Sequence, residues 1–317
     1  MEYGITFPRA GVAEQPSPWQ YLTHFARTSE QMGCAYGVIG DRLESGLDPF
    51  SILTAIAEAS GRMRLATSVL ILPPRGVLVA AKLYASLDVL TGGRVIAGVG
   101  TGSLFRDYAV VGMDHHDMWP RFEEGVRAMR AYLTPGAPPF TGRFYDTAGV
   151  NFEPHPVQRP SLPIWIGSWG STAGLRRVAR LADGWLSSAG PGHQYPEQFA
   201  ADVKRLNAFL VQEGKDPATF PNAVSTMALF ISEDRDELAR LGGPGYVPRP
   251  AGIGVVQPAG RPEEDAHAHD MVGTRAACLD KVRRWQAAGA QALFLVPRGP
   301  DPLGQMRLFL DEVASRA

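Results

Sequence analysis

The chain has 317 residues, enough for one large domain or two ordinary ones. Apolar residues make up 45% and charged residues 20%, which excludes a disordered or fibrous protein. With 31 Lys and Arg against 32 Asp and Glu, the formal net charge is −1, so there is no electrostatic case for nucleic acid or an anionic membrane surface.

Short apolar or β-branched runs alternate with helical patterns along the chain. Tyr3–Phe7 predicts a strand and Trp19–Met32 a helix. Ala35–Ile39 predicts the second strand, and Pro49–Ser60 a helix with Pro49 in its first turn. A strand over Leu65–Leu72 leads to an apolar helix over Val77–Leu90, and a strand over Val95–Val99 to a helix over Pro120–Leu133. Then come a strand over Ile164–Ile166, a helix over Ser171–Leu181 capped by Ser171, a strand over Gly184–Leu186 and a helix over Pro196–Glu213. Ala223–Phe230, a helix over Thr274–Ala288, Ala292–Val296 and a last helix over Pro302–Ser315 complete the series.

Strict strand–helix alternation implies a parallel sheet, and about eight units fit a closed (β/α)8 TIM barrel, an α/β fold. An open doubly wound sheet would carry a Gly-rich dinucleotide turn after its first strand, where this chain has Pro8-Arg9-Ala10-Gly11. The expectation is one barrel domain over residues 1–317 with insertions after strands 4 and 7. Residues 134–163 read as a small β excursion. Residues 232–273, rich in Gly and Pro, read as a cover over the catalytic face.

Other features narrow the setting. Cys34 and Cys278 allow no disulfide framework, which suits a reducing compartment. No apolar run reaches the roughly 18 residues that span a bilayer, and MEYGITFPRAG lacks the pattern of a secretory leader. The expectation is a cytoplasmic protein whose partner is a small-molecule substrate, with no nucleic acid and no membrane. Val77–Leu90 is apolar on more than one stripe, so its outer face is expected to pack on a second copy in a homodimer.

In a barrel the chemistry sits at the C-terminal ends of the strands. The polar residues there are Arg9, Asp41, Arg42, Glu44, Thr67, Ser68, Thr101, Ser103, Arg106, Ser168, Trp169, Ser171, Ser187, Ser188, Ser232 and Arg298. The run from Ile164 to Ser171 passes through glycines into a helix start. It is either an anion cradle or an ordinary turn that needs glycine for tightness. Asp41 either binds a ligand or caps locally, and Arg42 is placed to bridge to Glu44. No metal site is expected. His267 and His269 stand in a solvated acidic loop, and His115 and His116 are adjacent with nothing nearby to complete a set. No nucleophile elbow or phosphate-binding G-x-x-x-x-G-K is present.

The run LATSVLILPPRGVLVAAKLYASLDVLTGGRVIAGVGTG resembles the signature stretch of the bacterial luciferase-like superfamily. The later FTGRFYDTAGVNFEPHPVQRPSLPIWIGSWGSTAGLRRVARLADGW is similar to that family's second signature, and GTRAACLDKVRRWQAAGAQALFLVP to its ending. The resemblance implies a (β/α)8 barrel, often homodimeric, that binds a reduced flavin or deazaflavin. One branch uses reduced FMN and oxygen for monooxygenation, with a separate flavin reductase as a possible partner. The other uses the deazaflavin coenzyme F-420 for hydride transfer.

By position, the resemblance puts Asp41 near the ring edge and Ser68–Val69 at a non-prolyl cis bulge behind the ring. It puts Thr101, Gly102 and Ser103 on the turn beside the ring, and Gly167, Ser168 and Ser171 on the phosphate segment. Arg42 and Ser103 stand where deazaflavin-dependent alcohol and sugar-phosphate dehydrogenases place a His and a Glu, so both proton-transfer groups of that chemistry are missing. Arg42 is then expected to steady negative charge, with Phe7, Tyr108 and Trp169 lining an apolar pocket. The reading is a luciferase-like monooxygenase; the alternative is an F-420-dependent oxidoreductase. A cofactor-free barrel hydrolase would need Asp41 and Glu233 as its carboxylate pair, and a binding protein on a catalytically dead barrel is the remaining class.

Overall fold

The computed structural model describes residues 1–9, 11–189, 195–226, 228–241 and 270–317. In chain order the elements are β1 (Glu2–Thr6), α1 (Pro18–Gln31), β2 (Tyr36–Ile39), α2 (Pro49–Ala59), β3 (Arg64–Thr67), β4 (Leu70–Ile71), α3 (Leu72–Arg75), α4 (Val77–Thr91), β5 (Val95–Gly100), α5 (Phe105–Ala109) and α6 (Met118–Leu133). There follow β6 (Ile164–Gly167), α7 (Thr172–Leu181), β7 (Gly184–Ser188), α8 (Pro196–Gln212), β8 (Asn222–Ser225), β9 (Leu229–Ile231), α9 (Arg235–Leu241), β10 (Met271–Gly273), α10 (Arg275–Ala287), β11 (Ala292–Leu295) and α11 (Pro302–Glu312).

All the pairings among the barrel strands are parallel, in the order β3-β2-β1-β11-β8-β7-β6-β5. Pairing of Leu65 with Val95 and Ala66 with Ile96 joins β3 to β5 and closes the ring. The result is the (β/α)8 barrel expected from the alternation. Helix starts carry their own signals. Asp48 accepts from the Phe50 N–H with Pro49 next in line, Ser171 accepts from Gly174, and Thr274 accepts from Ala277. No helix among the described residues is long and apolar enough to cross a membrane.

Two predicted strands divide. Leu65–Leu72 breaks at a cis peptide between Ser68 and Val69, so β4 pairs with β5 on its own register and runs into the one-turn α3. Ala223–Phe230 breaks after β8. β9 leaves the barrel to pair with β10, and the Asp270 carboxylate accepts from the Ala228 N–H at the break. Each run carries a polar pair near its break, Thr67–Ser68 and Ser225–Thr226, but strands accommodate such residues, so the pattern alone does not show where the chain changes partners. Helix α5 stands where no element was predicted. The predicted cover falls mostly on 242–269, with His267 and His269, outside the described residues. In the excursion over 134–163, Thr141 and Asp146 form one antiparallel bridge.

Side chains fill the two ends of the barrel differently. Toward the N-terminal end, Tyr36 packs on Phe294 at 5.1 Å and near Trp165 at 6.4 Å between ring centroids. The Tyr36 hydroxyl donates to Glu2, and the Arg64 guanidinium lies 4.3 Å from its ring centroid. Toward the C-terminal end the strand tips are small. Gly100 and Gly167 lead the interior row that continues through Leu186, and Ser188 and Ser225 are in register with Phe294. Aromatic rings thus plug one end and small residues leave a cup at the other, where chemistry is expected in this fold.

Candidate active site

At one rim, Asp41 follows β2 and has a fully buried carboxylate. It accepts from the Ile71 N–H at 3.1 Å and from Arg75 on α3 through Nε at 3.1 Å and Nη2 at 2.5 Å. Arg75 also donates to Asp48, the cap of α2. Burial works against the Arg75 charge, but the two carboxylates outweigh it and raise its pKa. Asp41 therefore ties the β2 loop to β4 and α3. Arg9, after β1, has its pKa lowered by burial, with Asp41 opposing the shift. Arg75 was not among the predicted site residues. Its only sequence signal is the Pro-Pro-Arg step that ends the β4 run.

The floor of the cup is built on glycine. The Val69 side chain, beyond the cis peptide, lies over two strand tips. A methyl group on Gly100 would come within 2.7 Å of Val69 Cγ2, and one on Gly167 within 2.9 Å of Val69 Cγ1. One layer below, a methyl on Gly98 would lie 1.8 Å from the Thr67 carbonyl oxygen, so β3 and β5 meet this closely only because residue 98 has no side chain. Thr67 secures the same seam, donating to the Gly98 carbonyl at 2.6 Å and pairing with the Tyr84 hydroxyl at 2.5 Å.

Beside this floor, β5 leads into Thr101, Gly102 and Ser103. Gly102 takes a left-handed φ of 72°, and its α-carbon faces Ile71. The Tyr108 hydroxyl donates to the Thr101 carbonyl at 2.8 Å. Tyr108 is only 1% exposed, and Phe7, packed on Phe25, only 2%. Both are buried. Trp169, in the turn after β6, is 43% exposed. Glu44 pairs with Arg106 at 2.6 Å, because α5 carries Arg106 up to the β2 loop. The same short helix buries Asp107, a carboxylate that sequence reasoning passed over for want of a predicted element there.

The third wall is the β6–α7 turn. Ser168 holds its place through its N–H to the Leu186 carbonyl, and the Trp185 indole donates to its carbonyl at 3.0 Å. Gly170, with φ of 84°, turns the chain into Ser171, the cap of α7. The Ser168 and Ser171 hydroxyls both crowd Gly174, where a methyl would lie 2.3 and 2.9 Å from them. Among the described residues no acceptor meets the N–H groups of Ser171, Thr172 and Ala173. These orphan donors at a helix start suit an anion. On the neighbouring strand, Ser188 turns to the interior and Ser187 outward with Trp185, which stacks on Phe199.

The structure thus places Ser68, Val69, Thr101, Gly102, Ser103, Gly167, Ser168 and Ser171, with Asp41 and Arg42, at the C-terminal ends of the barrel strands. It does not assemble the hydrolase pair. Asp41 is committed to Arg75, and Glu233 is committed to Arg275 at 3.0 Å on the exposed start of α10.

Comparison with known proteins agrees with this geometry. The family model for luciferase-like monooxygenases matches residues 1–292. An uncharacterized protein of Mycobacterium tuberculosis is 34% identical over 160 residues, 50% of this chain and 54% of that protein, so the match spans about half the length of that relative. The F420-dependent glucose-6-phosphate dehydrogenase of Amycolatopsis mediterranei is 28% identical over 242 residues, 71% of this chain and 68% of that enzyme. Monooxygenase RslO1 from Streptomyces bottropensis superposes with a TM-score of 0.81 at 20% identity, over 100% of this chain and 99% of its own, which is a likeness of fold. With a family match that runs from the first strand into the last, the chain belongs to the luciferase-like monooxygenase family, whose members are flavin- or F420-dependent oxidoreductases and monooxygenases.

Proposed function

We propose that the protein is a flavin-dependent monooxygenase that uses reduced FMN and oxygen on a small organic substrate. The observation that carries this reading is Val69 seated on Gly100 and Gly167, an apolar surface at the C-terminal end of the barrel against which a planar ring would lie. When bound, reduced FMN would supply two electrons to dioxygen, one oxygen atom going to the substrate and the other leaving as water. The chain's own residues do the rest. Val69 backs the ring, and the Thr101–Gly102–Ser103 turn borders it. The N–H groups at the start of α7, with Ser168 and Ser171, take the phosphate. Arg42 steadies negative charge, since a guanidinium stays protonated and cannot act as a base. Neither Arg42 nor Ser103 offers the acid and base of an alcohol dehydrogenase, which favours oxygen chemistry over that kind of hydride transfer.

A deazaflavin-dependent oxidoreductase is the second reading. It is favoured by the likeness to the Amycolatopsis mediterranei enzyme. Anaerobic binding of reduced FMN and reduced F-420, followed by oxygen uptake with the first and hydride transfer with the second over one substrate panel, separates the two. Turnover with F-420 alone overturns the monooxygenase reading, and binding of neither cofactor overturns both. The same proposal includes a separate flavin reductase as the source of reduced FMN and a second copy of the chain as partner, docked on α4.

A further inference from the structure

Helix α8 reaches into the phosphate segment through one residue that has no place in the proposed chemistry. Arg205 Nη2 donates to the Gly170 carbonyl at 2.5 Å, and Nη1 donates to Thr172 Oγ1 at 3.0 Å. Arg205 is itself braced by Asp202, three residues earlier, which it meets through Nε at 3.2 Å and through Nη2. The Asp202 carboxylate is buried, and Gln198 Nε2 donates to the same oxygen at 3.0 Å. The guanidinium is therefore fixed before any ligand arrives.

In a trans peptide the C=O and the following N–H point in opposite directions. A guanidinium that holds the Gly170 carbonyl toward α8 thereby turns the Ser171 N–H away from α8. Gly170, at φ of 84°, has no side chain to fix that plane by packing. The bond to Thr172 Oγ1 anchors the next residue, the first of α7. We infer that Arg205 is a positioning residue for phosphate recognition: it orients the Gly170–Ser171 peptide so that the N–H groups of Ser171, Thr172 and Ala173 converge on a cofactor phosphate without touching it. This role rests on the reading of the α7 start as the phosphate cradle.

The test compares cofactors with and without the phosphate: FMN against riboflavin, and F-420 against its deazariboflavin core. Affinities are measured by fluorescence titration for the wild type, Arg205→Lys, and Arg205→Met combined with Asp202→Asn so that no lone carboxylate is left buried. The double variant is expected to lose about tenfold in affinity for the phosphate-bearing member of the preferred pair, the scale of one charge-assisted hydrogen bond. Riboflavin or the deazariboflavin core should change by less than about twofold, which also reports an intact fold. Arg205→Lys keeps a donor for Gly170 and should recover part of the loss. A double variant that keeps the full phosphate preference, or weakens both members equally, overturns the role of Arg205 while the cradle stands. A wild type that binds both members of each pair alike overturns the cradle itself, and this role with it.

Discussion

At the scale of single residues the site depends on side chains that are absent. Gly167 illustrates how the structure changes an expectation. From sequence, Gly167→Val would be expected to block a phosphate, because the residue begins a glycine-rich turn. In the fold Gly167 is the last residue of β6, and its open side is filled by Val69. A valine there displaces the floor behind the ring, so FMN and riboflavin should both lose about tenfold or more in affinity, on the order of 1.4 kcal/mol. A loss confined to FMN in a titration would return Gly167 to the phosphate. Arg42 gives the complementary prediction. If it holds charge and moves no proton, Arg42→Lys keeps part of the turnover and Arg42→Ala removes most of it. Steady-state rates unchanged in Arg42→Ala would make it a loop residue with no part in catalysis. Gly167 and Arg42 were among the residues singled out from the sequence. Arg75 and Arg205 were not, because each acts across a loop on a residue 34 or 35 positions away, and no local pattern encodes that meeting.

The elements show the same division. The longer helices were legible to within three residues at their ends, since their caps sit beside them in the chain, as with Ser171 before α7 and Asp48 and Pro49 at α2, whereas the short α3, α5 and α9 were not. The divided strands were not, since a short run of strand-forming residues, Thr and Ser included, reads the same whether its residues stay in the barrel or leave it, as β9 does for β10. Helix α4 carries the clearest expectation that concerns more than one copy. Its inner face packs in the core, while Val79 is 58% and Leu90 76% exposed, with Leu78, Leu83 and Val89 also open to solvent. An exposed aliphatic face along four turns of helix is costly in water and fits burial against its own copy across a two-fold axis. Light scattering at micromolar concentration should give a dimer mass for the wild type. Val79→Glu with Leu83→Glu, which leaves the inner face untouched, should give a monomer with the same circular dichroism. A monomeric wild type removes the proposal.

For the whole molecule, the barrel was legible because alternation of strands and helices leaves few ways to bury both faces of a parallel sheet. Closure was part of that expectation; the contact that permits it at β3 and β5, Gly98 lying against the Thr67 carbonyl, was not legible. The packed layer between strands and helices also holds both cysteines. Burial pushes the Cys34 thiol up to about 12 and the Cys278 thiol up to about 11, with Lys281 partly opposing the second shift. Both stay protonated at neutral pH, and thiols that are not thiolates are poor nucleophiles. Iodoacetamide at pH 8 should therefore leave both unmodified in the native protein and label both after denaturation.

The sign of the stability effect follows from the same shifts. Above the ordinary thiol value near 9, an unfolded chain loses these protons while the folded chain keeps them. Unfolding then releases protons, and stability falls as pH rises, by at most about 1.4 kcal/mol per pH unit for each thiol. The loss levels off once pH passes the folded values. Denaturant midpoints should be flat with respect to these groups below pH 8 and decline between pH 9 and 11. Cys34→Ala with Cys278→Ala should reduce the slope of that decline, even though the two cavities lower stability at every pH. An unchanged slope in the double variant would mean that the thiols titrate alike in both states and that burial does not hold their protons.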